Sequence, residues 1–325
     1  MAVKALVTGV AGFIGSHLAE ALVGRGDDVV GLDCFTDYYD VAVKRSNLAW
    51  LECQPRFRLE TCDLRSDDIA NVVADVEVIF HLAAQPGVRH SWRDGFRSYS
   101  EHNVVALQRL LEAARGASRL QRLVFASSSS VYGDAAEYPC GEHTPLLPRS
   151  PYGITKLAGE HLCRVYCESW DVPVTMLRYF TVFGPRQRPD MALHRLCEAA
   201  LSGTAFPLFG DGLQLRDFTY VGDVVAANLA AADADIEPGA ALNIAGGDSA
   251  TMLDVIGLVN ELTGRTVSIE HCAEQAGDVR RTGADIEPAR RLLGWEPAVD
   301  VAAGLGRQVA WHHSLRELGP LAAAP

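Results

Sequence analysis

The sequence has no C-x-x-C pair, no apolar run long enough to cross a membrane and no excess of positive charge. Each absence removes a class of function. Its 325 residues carry 29 Lys and Arg against 41 Asp and Glu, a net charge of −12. That balance argues against a non-specific grip on nucleic acid or on an anionic membrane. A phosphorylated substrate must therefore be held by a local group of arginines. The eight cysteines make no zinc pattern: Cys163 and Cys167 lie four apart, and no second pair completes a site. They read as free thiols in a reducing cytoplasm, and no metal is expected. No apolar stretch reaches the ~18 residues of a membrane span. Lys4 before an apolar run has the outline of a signal peptide, but Gly9, Gly12 and Gly15 interrupt it.

What is present is an alternation of strands and helices. Val3–Val7 is aliphatic and runs into Thr8-Gly9-Val10-Ala11-Gly12-Phe13-Ile14-Gly15. A helix follows over Ser16–Arg25, then a buried strand over Asp28–Leu32 that ends at Asp33. Further strands are expected at Phe57–Thr61, Val76–His81, Leu120–Ser127 and Val174–Tyr179, with helices at His102–Arg115 and Tyr152–Trp170. This rhythm predicts an α/β fold of Rossmann type, a doubly wound parallel sheet with right-handed crossovers. After residue 182 prolines and glycines loosen the pattern. Residues 1–182 and 215–245 are therefore read as the dinucleotide-binding domain, with 215–245 returning to the main sheet. Residues 183–214 and 246–318 form a smaller, mainly C-terminal substrate-binding lobe, and 319–325 a frayed Ala/Pro-rich tail.

The glycines at 9, 12 and 15 do one physical task. Gly9 permits a tight turn, Gly12 lets backbone N–H groups approach a diphosphate, and Gly15 lets helix and strand pack closely. Asp33 at the next strand end suits the adenosine ribose hydroxyls and repels a 2′-phosphate, which favours NAD over NADP. Asp63, after the third strand, is placed either for the adenine amino group or as a helix cap.

Tyr152-Gly153-Ile154-Thr155-Lys156 is Y-x-x-x-K. On a helix the two side chains lie one turn apart on one face. A free phenol titrates at about 10. A neighbouring ammonium and a cationic nicotinamide would lower that value, so Tyr152 could act as base toward a sugar hydroxyl. Ser127-Ser128-Ser129-Ser130 ends the fifth strand, on the side of a parallel sheet that faces a ligand.

With these motifs in order the chain resembles the extended short-chain dehydrogenase/reductases that act on nucleotide sugars. The likeness runs through T-G-x-x-G-F-I-G at 8–15, His81-Leu82-Ala83-Ala84-Gln85, Ser127–Gly133, Tyr152–Lys156, Arg178-Tyr179-Phe180 and Arg216–Asp223. The resemblance implies that Tyr152 is the base, Lys156 its partner and a ribose ligand, and Ser128 the bridging hydroxyl. It extends the cofactor contacts to Phe13, Ile14, Leu64, Leu82, Ala83, Ala84, Asn103 and Tyr179. It assigns the diphosphate to Arg216, with weaker assignments to Asp278 and Arg280, and the uracil to Phe209. It also implies a homodimer through helices at 102–115 and 152–170. In the same family His81, His90 and His194 have no metal-ligand spacing and read as structural.

Family members that eliminate water or CO2 carry acids where Ser129 and Ser130 stand here. That points to epimerisation at sugar carbon 4. Thr181, followed by Arg188-Pro189-Asp190-Met191-Ala192, resembles the UDP-glucuronic acid 4-epimerases, as does Asp37-Tyr38-Tyr39-Asp40. The resemblance implies that Ser129, Ser130, Thr181 and Arg188 hold the sugar carboxylate, with Arg186 as an alternative to Arg188. UDP-glucuronic acid would then become UDP-galacturonic acid through a 4-keto sugar. The alternatives are a UDP-glucose/UDP-galactose 4-epimerase, a UDP-glucuronate decarboxylase, and a non-catalytic NAD-sensing module.

Overall fold

The computed structural model describes residues 2–317; the tail expected at 319–325 lies outside them. Strand β1 (Lys4–Thr8) leads through the glycine turn into helix α1 (Phe13–Arg25). The helix starts three residues before the expected Ser16, because Gly12 is its extended N-cap rather than mid-turn. Then come β2 (Asp28–Asp33), α2 (Val41–Leu48), β3 (Phe57–Thr61), α3 (Ala70–Ala74) and β4 (Val78–His81). Helix α4 (Gly95–Ser100) continues through a π-helical turn, Glu101–Val105, into α5 (Ala106–Arg115), so this helix is longer than the expected 102–115. Next are β5 (Arg122–Ser128), α6 (Pro151–Trp170) and β6 (Val174–Tyr179). Helix α6 starts sharply: the Ser150 hydroxyl accepts from Gly153 N–H at 3.1 Å and Pro151 takes the first position.

The second half holds β7 (Thr181–Phe183), α7 (Ala192–Ser202), β8 (Phe206–Phe209), β9 (Leu215–Tyr220), α8 (Val221–Asp233) and β10 (Ala241–Ile244). It closes with β11 (Ser249–Thr251), α9 (Met252–Thr263), β12 (Ile269–Cys272), α10 (Glu287–Leu293) and α11 (Val301–Glu317).

The main sheet has seven strands, all parallel, in the order β10-β6-β5-β4-β1-β2-β3. Its central strands are covered on both faces and so read as aliphatic runs; all seven residues of β5 are buried. Along β1, Ala5 and Val7 enter the core shared with α1, α8 and the smaller lobe, while Leu6 enters the core under α5 and α6. Residues 215–245 return to this sheet only through β10. Strand β9 instead sits between β7 and β11 in a three-stranded sheet. Neighbours on β9, Arg216 and Asp217 point to opposite sides of that sheet, and Asp217 accepts from Gly247 N–H at 3.1 Å.

Candidate active site

The C-terminal ends of β1, β2, β4, β5 and β6 open on one edge of the sheet, and a cleft lies against them. Gly9, Gly12, Phe13, Ile14 and Gly15 line it from the first turn. Asp33, Asp63 and Leu64 line it from the β2 and β3 ends, and Leu82, Ala83 and Ala84 from the β4 end. Tyr152, Lys156 and Tyr179 complete the wall.

The glycine turn is built for close approach. Gly9 has φ +70°, and a Cβ there would lie 2.8 Å from Ala83 N. A Cβ on Gly15 would lie 2.3 Å from the Gly9 carbonyl oxygen. Gly12 offers no side-chain cap and the first turn of α1 has no acid, so its N–H groups face the cleft with an uncompensated positive dipole end. That donor set fits a dinucleotide diphosphate. The Asp33 carboxylate accepts from Ala11 N–H at 3.1 Å and Phe35 N–H at 2.8 Å, which anchors it at the rim with lone pairs to spare for a ribose. Asp63 is gripped by the Arg65 guanidinium at 2.6–3.1 Å, which holds its carboxyl below the usual range.

Asn103 does not line the cleft. The π turn rotates it inward, where its amide accepts from Gln85 N–H at 2.7 Å and donates to the Gln85 carbonyl at 3.0 Å and the Thr155 hydroxyl at 3.0 Å. These bonds tie the Gln85 backbone at the cleft wall to α6.

Tyr152 is half-buried in the cleft wall, and desolvation pushes its phenol above its ordinary value. A hydrogen bond with Ser128 and the charge of Arg188 pull the other way. This differs from the expected control by Lys156, whose ammonium donates to the Ala126 carbonyl at 2.8 Å and is itself pushed down to about 8 by burial. Ser128 lies at the end of β5, and its oxygen also accepts from Ser130 N–H at 3.1 Å. Ser129 and Ser130 form the short turn that follows and do not line either the cleft or the cavity next to it. A Cβ on Gly153 would meet the Ser130 carbonyl at 2.6 Å, so only glycine lets α6 press Tyr152 against this turn.

A second cavity of about 640 Å³ adjoins the cleft, a volume that suits a small ligand. Thr181, Arg188, Phe209, Arg216 and Asp278 line it. Arg188 lines both cavities; Arg186 lines neither and pairs with Glu20 at 2.7 Å on α1. Among the described residues no carboxylate pairs with Arg216, whose Nη1 donates only to the Leu215 carbonyl, at 3.0 Å. An inward arginine without a counter-ion is a ready anion site. Arg280 lies outside the cavity, held by both oxygens of Asp211 at 2.7 and 2.8 Å. Arg89 stacks on Phe209 at 4.0 Å and pairs with Asp278 at 2.9 Å, a role for Arg89 that no motif announces.

Lys44 escaped the sequence reading, and Arg178, His81 and His194 were named there without a role in the site. Lys44 lines the cleft, its ammonium fixed on the Thr36 carbonyl at 2.6 Å, yet it sits mid-helix with no signature. Arg178 is wholly buried and makes a forked ion pair with Glu160 at 2.7 and 2.9 Å and a bond to Tyr132 at 2.8 Å, which ties the serine turn to α6. His81 is buried on the Thr8 hydroxyl at 2.8 Å, and burial pushes it down to about 3. His194 stands near Glu198 and His312, ligand atoms within 4.8 Å of one another. Internal bonds hold one nitrogen of each ring, His194 on the Gln187 carbonyl at 2.7 Å and His312 on Glu198 at 2.7 Å, and the buried His312 Nε2 has no partner among the described residues.

Comparison with known proteins agrees with this geometry. Residues 5–245 match the model of the NAD dependent epimerase/dehydratase family. A Bacillus subtilis (strain 168) protein named an uncharacterized UDP-glucose epimerase, YtcB, is 45% identical over 96% of this chain and 98% of its own. A probable UDP-glucuronate 4-epimerase of Rhizobium meliloti (strain 1021) is 35% identical over 94% of this chain and 96% of its own. The crystal structure of UDP-glucuronic acid 4-epimerase from Bacillus cereus, in complex with UDP-glucuronic acid and NAD, superposes with a TM-score of 0.93 at 40% identity, over 96% of this chain and 99% of that one.

Proposed function

The chain belongs to the NAD dependent epimerase/dehydratase family, and from that premise we propose that it is an isomerase that inverts carbon 4 of UDP-glucuronic acid to give UDP-galacturonic acid. The observation that carries this reading is Arg188. One guanidinium lines both the cleft beside Tyr152 and the neighbouring cavity, where a sugar acid needs a cation. The Bacillus cereus structure supports NAD as the cofactor, and it and the Rhizobium meliloti relative support an acidic UDP-sugar as the substrate.

NAD, when bound, takes a hydride from sugar carbon 4 and returns it to the opposite face. The chain supplies the rest. The amides of the first turn of α1 hold the diphosphate of the dinucleotide, and Asp33 its ribose. Tyr152 removes the proton of the 4-hydroxyl and gives it back, with Ser128 bridging the two oxygens. Lys156, held on the Ala126 carbonyl, places an ammonium one turn from Tyr152 on α6 and is offered to the cofactor ribose. Arg216 takes the UDP diphosphate, Phe209 the base and Arg188 with Thr181 the sugar carboxylate. The lobe of residues 183–214 and 246–318 is the nucleotide-sugar lobe in this reading.

A homodimer is part of the proposal. Phe96, Val105, Ile154, Val165 and Trp170 expose apolar side chains on the α4–α6 face, which supports a contact between copies there. The eight free cysteines support a reducing, cytoplasmic setting. Among the described residues no helix is long and apolar enough to cross a membrane.

The test is incubation of the purified protein with UDP-glucuronic acid without added NAD, with NMR of the sugar. Appearance of the 4-epimer is the expected result. Conversion of UDP-glucose but not of the acid overturns the reading.

A further inference from the structure

Arg188 does not reach its position unaided. Its Nε donates to Asp190 Oδ1 at 3.0 Å and its Nη2 to Asp190 Oδ2 at 3.1 Å. This forked pair uses one edge of the guanidinium and leaves the Nη1/Nη2 edge for a second carboxylate. Asp190 is itself held from the cofactor side, since Tyr38 OH donates to Oδ2 at 3.3 Å. Tyr38 lies in the loop after Asp33 and lines the cofactor cleft. The junction is crowded: Gly87 has φ +97°, and a Cβ there would lie 3.1 Å from Tyr38 OH and 4.0 Å from Asp190 Oδ2. Tyr38 thus stands where the cofactor cleft and the sugar cavity meet.

Resting on the reading of the site as a UDP-glucuronic acid pocket, we propose that Asp190, backed by Tyr38, is a positioning residue that fixes the fork of Arg188 so that the sugar carboxylate is held in one orientation. The orientation matters chemically. With its carbon-4 hydrogen transferred to NAD as hydride and its 4-hydroxyl proton taken by Tyr152, the sugar is a β-keto acid. If the C5–C6 bond aligns with the carbonyl π system, that bond breaks and CO2 leaves. The electron pair forms an enolate that takes a proton at carbon 5. The product is a 4-keto pentose, and the cofactor remains reduced. A carboxylate pinned by a fixed arginine keeps the C5–C6 bond out of that alignment.

Three measurements on the wild type, Asp190→Asn and Tyr38→Phe test this. They are Kd for UDP-glucuronic acid and for UDP-glucose by calorimetry, product by NMR, and absorbance of reduced cofactor. Asp190→Asn is expected to weaken binding of the acid several-fold while moving the neutral sugar much less, since only the acid is gripped by the Arg188 edge that Asp190 aims, and the lost aim outweighs the removal of a like charge. It should also raise several-fold the share of turnovers that end in a UDP-4-keto-pentose and reduced cofactor, with Tyr38→Phe moving both in the same direction by less. Equal weakening of both ligands, or wild-type binding and product ratio in both variants, overturns the positioning role. A wild type that leaves UDP-glucuronic acid unchanged overturns the underlying reading of the substrate instead.

Discussion

The cofactor cleft and the sugar cavity are neighbours, yet they are made differently. The cleft is made mostly by strand ends and the turns that follow them: Gly9 to Gly15, Asp33, Asp63, Leu82 to Ala84. Each group comes from one short stretch, and its backbone supplies much of the chemistry. The cavity is assembled from Gly87–His90, the 187–195 segment, β8, β9 and Asp278, elements far apart in the chain. Its chemistry is in side-chain charge, and what each arginine does depends on which acid stands opposite. The fold therefore gives the cleft its function almost automatically, while the cavity's specificity rests on a few pairings that single substitutions can change.

Tyr152 stands at the border of the two and gives the largest expected effect. Tyr152→Phe keeps the ring and its edge-on contact with Tyr99, whose centroid is 6.1 Å away, and removes only the proton acceptor. General-base loss predicts a fall in kcat of roughly 10²–10⁴, with Kd for UDP-glucuronic acid little changed. A variant that turns over at the wild-type rate would mean that the cleft binds a dinucleotide without performing chemistry.

The comparison also bears on what could be read beforehand. The glycine turn, Asp33 and Y-x-x-x-K were legible because spacing alone places them, and the parallel sheet followed from aliphatic runs buried on both faces. The inward bonds of Asn103 were not legible, because a π turn, invisible in sequence, sets its direction. The place of Arg280 outside the cavity was not legible either, because its partner Asp211 lies 69 residues away. Arg188 and Arg186 could not be separated until Glu20 was seen to hold the latter. Strand β9 was expected in the main sheet with the rest of 215–245, and its pairing with β7 and β11 is a long-range choice that the local pattern does not announce.

The second expected effect concerns stability inside the cofactor half. Lys156 is buried and its pKa is about 8, against 10.5 for a free side chain. The folded state then binds fewer protons than the unfolded chain between pH 8 and 10.5, so stability rises with pH across that window. Below pH 8 the whole penalty is present, on the order of 3 kcal/mol. Lys156→Met should therefore be more stable than the wild type at pH 7 in urea unfolding of cofactor-free protein, by up to that amount. The gain should shrink as pH is raised, and the variant should lose activity. A variant less stable at pH 7 would show that the bond to the Ala126 carbonyl outweighs the desolvation of the ammonium.

The smallest effect sharpens the contrast within the cavity half. Arg216 and Arg280 are both arginines that the resemblance offers to the UDP diphosphate, and the structure gives them different surroundings. Arg216 lines the cavity, and its nearest acceptor is a neutral backbone carbonyl. Removing it deletes a charge-assisted contact to phosphate, so Arg216→Ala should weaken UDP binding by about 1.5–3 kcal/mol, roughly 10- to 150-fold in Kd. Arg280 is half exposed and already satisfied by an Asp211 that is half exposed as well, so its charge is screened by water and by its partner. Arg280→Ala should leave the Kd for UDP within about twofold and the melting temperature unchanged. Calorimetric titration of both variants with UDP reads the difference directly. Equal losses would require Arg280 to release Asp211 and swing into the cavity when the nucleotide arrives, and Asp211→Asn alone, which frees Arg280, would then bind UDP more tightly than the wild type.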